Sequence, residues 1–161
     1  MHKKILVARH AEAIWSSHGV KDFDRTLSTK GENDAQKSGK SLFQNLIHPD
    51  VLVSSMAVRA LTTSELIAQE IGYPLKNIVQ QKEIYSASLS QIFHLIANFN
   101  NDWNKVLLVG HNPTFSNLVE KLTEQSYGNL PPASIIGINL HVDEWAALSE
   151  GIGTVFYEDY P

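Results

Sequence analysis

Arg9 and His10 stand side by side after a short apolar run, Ile5–Ala8. A second arginine, Arg59, follows the run Val51–Ser55, and His111 comes straight after Val106–Gly110. A guanidinium can hold two oxygens of a phosphate or carboxylate at once. An imidazole titrates near neutrality, so it can act as a nucleophile where serine or lysine would need activation. Taken singly, each residue has an ordinary explanation. An arginine in a first helical turn is usually solvated, and a histidine after a strand is usually a turn residue. Their shared placement changes that reading, because all four lie just beyond apolar runs. The helix dipole disfavours a cation at a helix N-terminus, so Arg59 needs an anion or another reason to sit there. Two arginines, a helix N-terminus and a histidine together describe a phosphate or carboxylate site.

The elements that must position these residues follow from the apolar pattern. Ile5–Ala8, Val51–Ser55 and Val106–Gly110 are short and continuously apolar, as in parallel strands covered on both faces. Between them the spacing predicts helices. One runs from a cap at Ser28 or Thr29 to about Ile47, with Ala35, Leu42, Phe43 and Leu46 on one face. The next runs from about Ala57 to Glu70 and ends at Gly72 with Pro74 behind it. A third carries Leu89, Ile92, Phe93 and Ile96, and a fourth begins at Asn112-Pro113 with Phe115, Leu118, Val119 and Leu122. Ile78 and Val79 suggest a short strand; "SIIGINL" and "TVFYE" suggest the last two. Alternating strands and helices indicate one α/β domain over residues 1–161, a mostly parallel central sheet with helices on both faces. In such a sheet ligands bind beyond the carboxyl ends of the strands, where the four residues gather.

Bulk properties narrow the classes. The 161 residues are 43% hydrophobic and 19% charged, as in a globular domain, and the formal net charge of −4 weighs against a nucleic-acid or anionic-membrane surface. With no cysteine there is no disulfide, thiolate metal site or cysteine nucleophile. The apolar run after Met1-His2-Lys3-Lys4 is too short for a signal peptide or a membrane span, so the expected location is the cytoplasm.

Three stretches in order, "RHA", "SSMAVRA" and "VGHNP", resemble the histidine phosphatase superfamily, whose signature is Arg-His-Gly. "DFDRTLSTKG" (Asp22–Gly31), "EIYSAS" (Glu83–Ser88) and "EWAALSEG" resemble its small SixA-like branch, named for a phosphohistidine phosphatase. The likeness runs through nearly the whole chain. Ala11 stands where the signature has glycine, a frequent departure in that branch that should leave the chemistry intact.

The resemblance implies a phosphoglycerate mutase-like fold and a phosphatase that works without metal or cofactor. His10 would attack phosphorus as neutral imidazole, with Arg9, Arg59 and His111 around the non-bridging oxygens. Glu83 is the expected acid for the leaving group, with Glu12 as another possibility. Arg25 and Asp24 would shape the rim of the site, and Arg25 either touches the substrate phosphate or pairs with a carboxylate. Asn112 would cap the fourth helix and hold His111, or meet the substrate; Ser16, Ser55 and Thr114 are further hydrogen-bond donors to phosphate. Trp15 and Phe23 read as loop anchors, although Trp15 could also line a substrate pocket.

The expected substrate is a phosphohistidine-bearing protein, since protonated imidazole leaves without a strong acid. A small phosphorylated metabolite is the alternative. A phosphomutase would need inserted segments for which this chain has little room, and a non-catalytic phosphoprotein-binding module would have no use for His10. Two further motifs carry nothing. "SGKS" (Ser38–Ser41) lies inside a helix and puts Asp34 where a Walker glycine belongs, and "HGVKDFD" matches no standard metal spacing.

Overall fold

The three apolar runs become neighbouring parallel strands of one six-stranded sheet in the computed structural model, which describes residues 2–15 and 19–161. β1 (Lys4–Arg9), β2 (Val51–Ser55), β3 (Val79–Gln81) and β4 (Lys105–Gly110) are parallel, with β4 between β2 and β1. β5 (Ile135–Asn139) and β6 (Thr154–Asp159) extend the sheet beyond β1 as antiparallel strands. The order is β3-β2-β4-β1-β5-β6.

Strand side chains alternate between faces, and each face has its own pair of helices. Leu6, Ala8, Leu52, Leu107 and Val109 meet Leu42 of α1 (Thr29–Gln44) and Ala60, Ile67 and Ala68 of α2 (Val58–Ile71). Ile5, Val7, Val53, Val106 and Leu108 meet Ile92 and Ile96 of α3 (Leu89–Ala97) and Phe115 and Leu118 of α4 (Thr114–Thr123). Each buried Val, Leu, Ile or Phe among them is worth about 1.5–3 kcal/mol relative to exposure. The α/β architecture expected from the sequence is therefore the one observed, with helices on both faces.

Some boundaries differ from the apolar pattern. α1 stops at Gln44 rather than Ile47 because Leu46 takes a left-handed φ of 57° and Ile47 N–H turns back to Leu42 O at 2.9 Å. That closure ends the helix and still delivers Ile47 to the core. Ile78 precedes β3 instead of opening it. Pro113 is the cap of α4, so Thr114 is its first helical residue.

Lys3 is buried at the entry to β1. Its ammonium donates to Asn101 O at 2.6 Å, Trp103 O at 3.0 Å and Asn104 Oδ1 at 2.9 Å, which fastens that end of the sheet. Among the described residues no helix is long and apolar enough to cross a membrane.

Candidate active site

Parallel pairing places the ends of β1, β2 and β4 on one edge of the sheet, with Arg9 opposite Gly110 in the register. His10 leaves β1 there, its N–H bonded to Gly110 O at 3.0 Å. The next residue, Ala11, is fully buried, donates its N–H to Thr63 Oγ1 at 3.0 Å and packs with Leu27, Ala35 and Ala133. Its φ is not positive, so an alanine fits where the signature has glycine.

The His10 ring has a defined tautomer. Nδ1 lies 2.7 Å from Ala11 O, so it carries the hydrogen and donates it. Nε2 keeps its lone pair, toward which Arg59 Nε–H points from 3.3 Å. Burial pushes the His10 pKa down to about 4, against the Ala11 bond, and the positive charges of Arg59, Arg9 and Arg25 push the same way. At neutral pH the ring is uncharged and nucleophilic at Nε2.

Three cationic or donor groups surround it. Arg9 is anchored by Nη1 to Leu130 O at 2.8 Å, and its Nε is buried with no hydrogen-bond partner. Arg59 sits in the first turn of α2, whose cap residue Ala57 makes no side-chain bond to the free amides. The His111 ring centroid is 5.2 Å from that of His10, and its Nε2 is 2.8 Å from Ser55 Oγ. Ser55 Oγ also accepts Ala57 N–H at 3.2 Å. Nδ1 of His111 is buried without a partner. Burial, then the charges of His10 and Arg59, hold His111 near pKa 3, and it too is neutral. The unpaired buried Nε–H of Arg9 suits an oxyanion.

Gly110 makes the turn into His111 possible. A β-carbon there would lie 2.3 Å from the buried Phe115 ring, so only glycine lets α4 pack this close to the strand end.

The other expected residues fall in several places. Arg25 pairs with a carboxylate: Nη1 donates to Asp22 Oδ1 at 3.0 Å and Nε to Ile14 O at 2.9 Å, while the guanidinium stacks 4.5 Å over Trp15. Trp15 is 87% exposed and so is no buried anchor, whereas Phe23 does hold the loop, edge-on to Tyr85 at 5.0 Å. Asp24 is exposed on the 3-10 turn Asp22–Asp24. Asn112 Oδ1 accepts Ser116 N–H at 3.2 Å in the first turn of α4, and its Nδ2 donates to Leu130 O at 3.1 Å. That carbonyl also anchors Arg9, so Asn112 braces the site. Ser55 faces His111, and Thr114 Oγ1 donates to Ala87 O at 2.9 Å. Glu12 accepts from Ser28 Oγ at 2.9 Å. Glu83 is exposed and lines a hollow with Ser86, Ser90, Gln91 and His94. Ser16 lies outside the described residues.

Two residues to which the sequence reading gave no role belong to the cluster. Asp22 accepts from Arg59 and Arg25, and the Tyr85 hydroxyl donates to it at 2.5 Å. Tyr85 also packs edge-on to His111 at 5.5 Å. The Tyr85 bond first, with Arg25 and Arg59 behind it, holds the Asp22 carboxyl well below the usual range. The Asp22-x-x-Arg25 spacing was the available signal, a carboxylate and a guanidinium one turn apart. Among the described residues no group of three or more His, Asp or Glu is arranged to hold a metal ion.

Known proteins share this outline. Residues 5–92, more than half of the chain, match the family model of the histidine phosphatase superfamily (branch 1). A 2,3-bisphosphoglycerate-dependent phosphoglycerate mutase of Thermobifida fusca is 34% identical over 70 residues, covering 42% of this chain and 28% of the mutase. The chain thus matches less than a third of that relative's length. A candidate SixA phosphohistidine phosphatase from Agrobacterium tumefaciens has a TM-score of 0.85 at 23% identity, over 100% of this chain and 99% of that one. The protein histidine phosphatase SixA complexed with tungstate has a TM-score of 0.80 at 20% identity, over 96% of this chain and 95% of that one. At these identities the two structures establish a common fold.

Proposed function

Because this chain belongs to the histidine phosphatase superfamily, we propose that it is a phosphatase that carries the phosphoryl group on His10 and takes it from a phosphohistidine-bearing protein. The observation that carries the reading is the His10 tautomer. Ala11 O engages Nδ1, so the lone pair of Nε2 lies beside Arg59 Nε–H.

The reaction follows in two displacements. Nε2 of neutral His10 attacks phosphorus and a P–N bond forms. The substrate's own P–N bond breaks, and its electron pair goes to an imidazole that already carries a hydrogen on its other ring nitrogen. Water then attacks the phosphohistidine, the P–N bond breaks, and phosphate leaves with His10 restored. Arg9, Arg59 and His111 stabilise the equatorial oxygens, and one such donor is worth roughly 10²–10³ in rate. The built-in guanidiniums supply the positive charge, so the proposed reaction needs no metal.

A leaving imidazole suits this site. With a hydrogen on its other ring nitrogen it departs as neutral imidazole and needs less acid assistance than an alkoxide. Asp22 is held ionised by its neighbours, so it is not disposed as a strong acid. The exposed Trp15, stacked on Arg25 beside the cluster, offers apolar surface to a protein partner.

The test compares phosphate release from a phosphohistidine-bearing protein and from p-nitrophenyl phosphate, without added metal, with His10→Ala as control. Fast, His10-dependent release from the protein and little from the aryl ester supports the proposal. The reverse ranking assigns the site to small-molecule phosphoesters, and no release from either rejects a phosphatase.

A further inference from the structure

Arg59 stands in the first turn of a helix beside solvent, yet its guanidinium is held on three sides. Nη1 donates to the main-chain oxygen of Asp22 at 2.7 Å, Nη2 to Asp22 Oδ2 at 3.1 Å, and Nε to His10 Nε2 at 3.3 Å. The Arg59 side chain is 8% exposed, and that of Asp22 is 54% exposed. We propose that Asp22 is a positioning residue: its two oxygens grip the far end of the Arg59 guanidinium and so aim Nε–H at the nucleophilic atom of His10. The proposal rests on the phosphatase reading of this site.

Asp22 is itself fixed. Oδ2 receives the Tyr85 hydroxyl at 2.5 Å, and Oδ1 receives Arg25 Nη1 at 3.0 Å. Arg25 is in turn pinned by Ile14 O and by the face of Trp15. Tyr85 lies 5.8 Å below the Arg59 guanidinium, which limits its tilt. One carboxylate therefore joins the rim of the site to the residue that faces the nucleophile. A carboxylate near a phosphate site repels the incoming dianion, and an arrangement that only concentrated positive charge would omit it. The gain is orientation. A free arginine has many rotamers, and a guanidinium that must meet a transferring phosphoryl group gains when one edge is fixed beforehand.

The experiment uses wild type, Asp22→Ala, Asp22→Asn, Arg59→Ala and the Asp22→Ala/Arg59→Ala double variant. Turnover of a phosphohistidine-bearing protein and of p-nitrophenyl phosphate is measured, and tungstate affinity is measured by calorimetry. Asp22→Ala should lower kcat/KM about 10- to 100-fold, mainly through kcat. Asp22→Asn keeps an oxygen for Nη2 and should lose less. In the Arg59→Ala background, removal of Asp22 should cost less than about twofold further, because its effect passes through Arg59. A role confined to holding the loop would instead multiply the two losses. Full activity in Asp22→Ala, or multiplied losses in the double variant, overturns the proposal. If wild type turns over neither substrate, the phosphatase reading fails, and tungstate decides the clamp by the same comparison. Equal tungstate affinity in wild type and Asp22→Ala, or no tungstate binding by wild type, also overturns it.

Discussion

Nδ1 of His10 lies 2.7 Å from the main-chain oxygen of Ala11, which commits the ring hydrogen to Nδ1 and leaves the lone pair on Nε2. Adjacent residues make this contact, so the end of β1 itself sets the tautomer. Burial and the surrounding guanidiniums then keep the ring from gaining a second proton.

The first prediction concerns that protonation. His10 should titrate near pH 4, and its imidazole NMR signals should stay flat from pH 8 to pH 5 in the Nδ1–H form. A midpoint near 6.5 would show that the environment does not hold the ring neutral.

Stability should follow the same shift. The unfolded chain takes up the His10 proton near 6.5 and the folded protein only near 4, so between those values the unfolded state binds more protons. The His10 contribution is complete above about pH 6.5 and is lost as pH falls toward 4. In urea unfolding, the loss of stability from pH 7 to pH 5 should shrink by roughly 2 kcal/mol in His10→Gln. An unchanged loss would contradict the shift.

Ser55 should matter through His111. Its hydroxyl is 2.8 Å from His111 Nε2 and holds the ring in its orientation. Ser55→Ala should reduce kcat about fivefold while the protein stays folded, since one hydrogen bond is worth about 1 kcal/mol. Wild-type turnover in this variant would show that His111 needs no such support.

Gly110→Ala tests the packing behind the site. The new methyl would meet the Phe115 ring at 2.3 Å, and overpacking of this kind costs about 1–3 kcal/mol. Thermal unfolding should shift down by roughly 5 °C, with a loss of activity because His111 is the next residue. An unaltered midpoint would mean that α4 yields at no cost.

Much of this site can be read along the chain because its main residues follow strands directly. "VLLVG" and "VLVSS" are apolar without a break, so their ends are plain, and Arg59 and His111 follow within a few residues. Asp22 and Tyr85 are different. They meet each other across 63 residues, and Asp22 meets Arg59 across 37, by a loop closure that no local spacing encodes. Glu83 shows the reverse difficulty. It is two residues from Tyr85, but the 3-10 turn Lys82–Ile84 sends Tyr85 to the histidines and Glu83 to the hollow with Ser86 and His94. The end of α1 was hidden for a third reason: the apolar pattern continues through Leu46 and Ile47 after the backbone has already turned.

The central claim is a phosphoryl group carried on Nε2 of His10. Rapid quenching during turnover of a phosphohistidine-bearing protein, followed by ³¹P NMR and mass spectrometry of the enzyme, tests it most directly. The account predicts an acid-labile, alkali-stable phosphoramidate on His10, attached at Nε2 and absent from His10→Ala. Turnover with no phosphoenzyme, or a phosphoryl group on Nδ1 or on another residue, would contradict it.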